Sequence, residues 1–137
     1  FHLLLLMSLD ARVSAVLPPA TLQSWPLPGS GHIRFRSSEQ RFDCSREVTG
    51  DSVWAGTMCL LQWLCEPENR PLFEGKSVLE LGSGTGFIGL SLAQLGASRV
   101  VLTDLPQQLS LLRSNIALNE ETSNIVSASA LPWGEGA

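Results

Sequence analysis

The residues with the clearest chemical potential lie between positions 80 and 104. Glu80 is followed by glycines at alternate positions, Gly82, Gly84 and Gly86, with Ser83 between the first two. Glycine accepts backbone conformations closed to other residues, and it leaves no Cβ between a ligand and the main chain. An acid followed by glycines in this spacing offers backbone N–H groups to a polar ligand at contact distance. Asp104 ends a second apolar run about 20 residues beyond the first glycine, where doubly wound folds set a carboxylate against ribose hydroxyls. Those two hydroxyls are donors, and an ionised carboxylate accepts from both. Together these residues point to the polar part of a nucleoside cofactor.

The flanking sequence supplies the elements needed to position them. Ser77 to Leu81 is a short apolar run of the buried-strand type. Phe87 to Ala93 opens an amphipathic helix that Gly96 can close as a C′ residue. A strand feeding a helix through a glycine turn gathers N–H groups and the positive end of the helix dipole at one point. Arg99 to Asp104 reads as the next strand. Pro106 suits the first turn of a helix continued from Gln107 to Asn119, with an apolar stripe of Leu109, Leu112, Ile116 and Leu118. Arg113, Ser114 and Asn115 are placed on its exposed side. Ile125 to Ala128 is a third strand, followed by Leu131-Pro132-Trp133-Gly134.

Upstream, Leu17 to Gly31 is rich in proline and predicts an extended connector. Ile33 to Arg36 alternates apolar and basic residues as an edge strand does, and Arg41 to Cys44 is expected to pair with it. Gly50 breaks the chain, and Asp51 or Ser52 can cap a helix from Val53 to Cys65 with Trp54 in its first turn. The opening Phe1 to Leu9 predicts a modest helix or residues foreign to the fold. It is too short to span a bilayer, and Asp10 and Arg12 follow it.

Composition bounds the function. A chain of 137 residues with 44% hydrophobic and 16% charged residues is a packed chain of at most one domain. A net charge of −4 argues against a nucleic-acid groove. Cys44, Cys59 and Cys65 form no C-x-x-C pair and have no histidines clustered with them, which argues against a metal site. They are expected to be buried, inert thiols in a reducing compartment. Neither a membrane nor a nucleic-acid partner is expected, and the expected location is the cytoplasm, with the nucleus open.

Spacing then separates cofactors. A dinucleotide fingerprint, G-x-G-x-x-G, would need glycine at position 87, where Phe87 stands. The E-x-G-x-G-x-G pattern instead resembles motif I of the seven-β-strand S-adenosylmethionine-dependent methyltransferases. Four further features agree with their protein lysine methyltransferase-like group, methyltransferase family 16. They are T-G-x-x-V-W at Thr49 to Trp54, D-L-P at Asp104 to Pro106, R-x-N-x-x-x-N at Arg113, Asn115 and Asn119, and L-P-W-G at Leu131 to Gly134. Pro132 stands where that group usually has an acid.

The resemblance implies an α/β fold, the Rossmann-like doubly wound sheet of the seven-strand type, with only its N-terminal part present. About three core strands would accompany an N-terminal extension with short β elements over 1–47, and 48–137 would form a partial cofactor-binding domain. S-adenosylmethionine is the implied cofactor, held by Trp54, Glu80, Gly82, Ser83, Gly84, Gly86, Asp104 and Trp133, with Trp133 stacked on adenine. The implied reaction is displacement of the sulfonium methyl by a neutral lysine amine of a protein, of the class of chaperones or translation factors. No catalytic residue is identified, because the fourth-strand motif of such enzymes would lie beyond Ala137. A truncated, non-catalytic chain that binds cofactor or a partner is the alternative, and a nicotinamide-dependent oxidoreductase is disfavoured by Phe87. Three parallel strands alone would leave the first of them with an unpaired edge and uncovered apolar surface, so marginal stability is expected.

Overall fold

The structure, a computed structural model, describes residues 2–5, 21–29, 31–37 and 50–134. Its centre is the succession β4 (Ser77–Leu81), α2 (Phe87–Gln94), β5 (Arg99–Asp104), α3 (Leu109–Ala117) and β6 (Val126–Ala130). The strands pair in parallel, Val78 opposite Val100 and Val100 opposite Val126. Each crossover steps to the next strand in the same direction across the sheet. Right-handed crossovers of that kind put both helices on one face.

Burial follows from this arrangement. Val78, Glu80, Val100, Leu102 and Val126 are buried on the face under α2 and α3. Leu79, Leu81 and Val101 on the opposite face are half-buried, and Ser127 and Ser129 are exposed. These crossovers therefore build one covered face, and the second helical layer of a doubly wound sheet is not formed by them. The free side of β4 is paired, however. β1 (His2–Leu5) lies parallel to it, His2 opposite Val78 and Leu5 opposite Leu81, giving the order β1-β4-β5-β6. His2–Leu5 thus form a strand where a modest helix or residues foreign to the fold were expected, and they occupy the edge that three strands would have left open.

A second, antiparallel sheet lies across α2 and α3. β2 (Thr21–Leu27) pairs with β3 (Gly31–Ser37), Thr21 opposite Ser37 and Leu27 opposite Gly31. Within the proline-rich stretch, Thr21–Leu27 is therefore a strand rather than a connector. Pro26 is compatible with this because the strand lies on an edge, where a missing N–H costs no ladder bond. The partner of β3 is thus β2; Arg41 to Cys44 lie outside the described residues. Ile33, Phe35 and Ser37 are buried and Arg34 and Arg36 exposed, as the alternation requires. Phe35 meets Phe87 of α2 edge to face, ring centroids 4.9 Å apart. With the parallel sheet on one side and β3 on the other, α2 is buried from Phe87 through Ala93. It ends at Gly96 (φ +110°), whose N–H donates to Ala93 O while that of Ala97 donates to Leu92 O at 2.9 Å, the Schellman arrangement.

α1 (Ala55–Cys65) begins two residues later than its composition suggests. Trp54 precedes its first turn in extended conformation (φ −82°, ψ 153°), and no side chain caps the helix, so neither Asp51 nor Ser52 has that part. Leu61 and Leu64 are buried, while Trp63 and Cys59 are exposed and Cys65 is half-buried. The two described thiols are thus not the buried pair expected, because one side of α1 faces solvent. A 3₁₀ turn at Pro106–Gln108 leads into α3, and Asn115 on that helix is fully buried rather than exposed.

The seating of α2 yields a test. Alanine in place of a helical glycine ordinarily gains about 1 kcal/mol. A Cβ at Gly89, however, would run into Leu102 and lie 2.6 Å from Glu80 Oε2 and 3.0 Å from Val100. Gly89→Ala is expected to destabilise the chain by about 1–3 kcal/mol, the usual cost of overpacking. Urea unfolding measures it, and a gain in stability would mean that α2 does not lie this close to the sheet.

Candidate functional site

The loop between β4 and α2 is built on left-handed glycines. Gly82, Gly84 and Gly86 have φ of +63°, +54° and +77°. A side chain at Gly84 would also lie 2.7 Å from Gly50 O, and one at Gly86 would lie 2.9 Å from Leu102 and 3.0 Å from Leu112. The chain at Gly50 thus crosses directly over the glycine loop. Gln108 in turn lies against Gly50.

Neighbouring elements fix the loop in place. Ser83 N–H donates to Thr103 O at 2.9 Å and Gly86 N–H to Ser83 O at 2.7 Å. Thr103 N–H donates to Ser83 Oγ at 3.0 Å, and the Ser83 and Thr103 hydroxyls both donate to Glu80 O. Asp104 completes the set. Its Oδ2 accepts from Gly84 N–H and its Oδ1 from Leu105 N–H, each at 2.7 Å. Each carboxylate oxygen keeps a second lone pair, and the residue is half-buried. In the first turn of α2, Gly89 N–H donates to Glu80 Oε2 and Leu90 N–H to Gly86 O. The N–H groups of Phe87 and Ile88 have no partner among the described residues, as two of the orphan donors that a helix start leaves.

Glu80 occupies a different place from the other acid. It is 2% exposed, and its carboxyl lies between the sheet and α2, accepting the Gly89 N–H at 3.0 Å. It therefore supports the loop from beneath, through α2. Burial pushes its pKa up from 4.5 to about 8, and the negative charge of Asp104 adds to the rise. The Gly89 N–H and the Ser83 hydroxyl oppose it.

Gly82, Ser83, Gly84, Gly86 and Asp104 are thus brought together at the C-terminal ends of β4 and β5. The two tryptophans reach this end of the sheet on adjoining segments. Trp54 follows the residues that cross Gly84 and is 45% exposed. Trp133 follows β6, where Leu131 N–H donates to Asp104 O at 2.9 Å, and is 53% exposed. Sequence reasoning noted Asn115 and Asn119 as part of a family pattern and passed over Thr103, and it gave no buried role to these three polar residues. The asparagines had a signal, since two amides four apart interrupt the inner face of a helix. Among the described residues no three histidines, cysteines or acids form a metal cluster, and no helix is long and apolar enough to cross a membrane.

The buried acid makes stability depend on pH. The native chain holds the Glu80 proton up to about pH 8, whereas an unfolded chain releases it near 4.5. Between these values the native state binds more protons, so stability is greatest below pH 4.5 for this group and falls until about pH 8. Thermal melts of wild type and Glu80→Gln across that window are expected to diverge, wild type losing melting temperature relative to the variant as pH rises. Parallel curves would show that the carboxyl ionises freely in the folded chain.

Comparison with known proteins places this geometry. A lysine methyltransferase family profile matches residues 39–137. The EEF1A lysine methyltransferase 3 of Xenopus tropicalis is 39% identical over 131 residues, covering 91% of this chain and 57% of that protein. The protein-lysine methyltransferase METTL21E of Bos taurus is 30% identical over 118 residues, 85% of this chain and 39% of the relative. The human protein-lysine N-methyltransferase EEF2KMT is 33% identical over 99 residues, 71% of this chain and 29% of its own length. The chain therefore spans little more than half of these relatives at most. With its glycine loop, its Asp104 and a match over most of its length, the chain belongs to the lysine methyltransferase family.

Proposed function

We propose that this chain binds S-adenosylmethionine at the glycine loop and forms the cofactor half of an enzyme that methylates lysine on a protein. The observation that carries this reading is the 2.7 Å bond from Gly84 N–H to Asp104 Oδ2, which makes the loop and the carboxylate one site. Bound there, S-adenosylmethionine supplies an electrophilic methyl group. The residues suit it. Backbone without side chains faces the methionine end, and the remaining lone pairs of Asp104 take the ribose hydroxyls. Trp133 is assigned to the adenine face and Trp54 to the cofactor side of the segment that crosses Gly84. Glu80, lying under α2, keeps the loop in place rather than touching the cofactor.

The acceptor is a neutral lysine amine, and the chain's contribution to the transfer is alignment of the donor. Relatives named for EEF1A and EEF2 make a translation factor the proposed class of substrate.

Calorimetric titration with S-adenosylmethionine tests the reading. Wild type is expected to saturate and to ignore NAD, and Asp104→Ala to bind at least about tenfold more weakly, as the loss of hydrogen bonds to a charged group implies. A folded chain that binds no S-adenosylmethionine overturns the proposal. Binding without methyl transfer to a translation factor would favour the non-catalytic alternative.

A further inference from the structure

Two asparagines, Asn115 on α3 and Asn119 just beyond its C-terminal end, hold β3 in an unusual way. Asn115 Oδ1 accepts from Arg36 N–H at 2.7 Å, and its Nδ2 donates to Arg36 O at 3.1 Å. Asn119 repeats this one turn on, Oδ1 accepting from Arg34 N–H at 3.0 Å and Nδ2 donating to Arg34 O at 2.7 Å. A primary amide has the donor and acceptor of a peptide unit, so each side chain pairs with β3 as a residue of a neighbouring strand would. The spacing permits it, since four helical residues rise about 6.0 Å and two strand residues about 6.6 Å.

The two differ in their remaining proton. The second Nδ2 hydrogen of Asn119 turns back onto the end of α3, donating to Asn115 O at 2.8 Å. That of Asn115 leaves the helix and donates to Thr85 O at 2.8 Å, inside the glycine loop. Both asparagines are at most 1% exposed, and Thr85 is 3% exposed. The peptide unit that carries Thr85 O also carries Gly86 N–H, which donates to Ser83 O at 2.7 Å. With both ends tied, this unit cannot rotate, and the next amides along the chain are those of Phe87 and Ile88.

We infer that Asn115 is a positioning residue for the cofactor loop: it fastens the Thr85 carbonyl to β3 and so aims the first amides of α2, without touching the cofactor. This rests on the reading that the loop takes S-adenosylmethionine. Asn119 is the internal control, because it clamps the same strand and makes no bond to the loop.

The experiment compares Asn115→Ala with Asn119→Ala by amide hydrogen exchange and by S-adenosylmethionine titration. Both variants are expected to melt lower than wild type. Only Asn115→Ala is expected to speed exchange at Gly84 and Gly86, about tenfold, and to weaken S-adenosylmethionine binding by a similar factor. Equal effects of the two variants on the loop, or no effect of either, would make Asn115 a strand clamp alone and overturn the inference. The exchange result stands even if wild type binds no S-adenosylmethionine, which separates this failure from that of the functional reading. Should Asn115→Ala not fold, Asn115→Asp keeps the acceptor for Arg36 N–H while removing both donors. Faster loop exchange is expected there too, and wild-type exchange in that variant would refute the role. If that variant also fails to fold, the wild-type Asn115 side-chain amide protons decide: protection matching that of Gly84 is expected, and rapid exchange would overturn the inference.

Discussion

The closeness of α2 to the sheet governs the rest of the structure. Gly86 and Gly89 have no side chains to hold the helix away from Leu102 and Val100, so its first turn lies directly on the strands. Three consequences follow. The carboxyl of Glu80 is enclosed beneath the helix, where it accepts from Gly89 N–H. The chain between strand and helix must turn within a few residues, which it does through three left-handed glycines. The far side of α2 is low enough for β3 to cover it through the Phe35–Phe87 contact. A helix start enclosed in this way has its free N–H groups in a low dielectric, where a hydrogen bond to a ligand is stronger than in water.

Much of this was legible in the sequence because the local rules agree with one another. The β4 run, the glycine spacing, the Gly96 stop and the acid ending β5 each have a steric or electrostatic reason that acts within a few residues. The misreadings share a different cause. Thr21 to Leu27 looked like a connector because the stretch from Leu17 to Gly31 carries four prolines and two glycines, yet an edge position removes the penalty for Pro26. Asn115 looked exposed because an amide in a helix usually is, and only the arrival of β3 from about eighty residues earlier buries it. The opening strand could not be seen either, since its reason for existing is the vacant side of β4. Local chemistry was readable, whereas pairings between distant segments were not.

The two acids of the site show how environment divides like residues. Glu80 and Asp104 are both hydrogen-bonded to backbone N–H groups around the same loop. Glu80 is closed off from water, so burial favours its protonated form, and a neutral acid under α2 adds no charge to the core. Asp104 sits at the open end of β5 with lone pairs to spare. The family resemblance set both against the cofactor; both fall on the face that carries α2, and what separates them is position along it, since Glu80 lies beneath the first turn of α2 and Asp104 at the last residue of β5.

The loop itself is held largely by others. Thr103, Asp104 and Asn115 each tie one of its backbone groups, and they come from the next strand and the next helix. Glycines make the conformation accessible but do not select it, since they are equally free to adopt many others. Selection comes from the surrounding bonds, and those bonds exist only when β5, α3 and β3 are already packed. A glycine motif transplanted without them would retain its pattern and lose its shape. The candidate site in this chain is therefore a property of the assembled layers, with the motif marking where they converge.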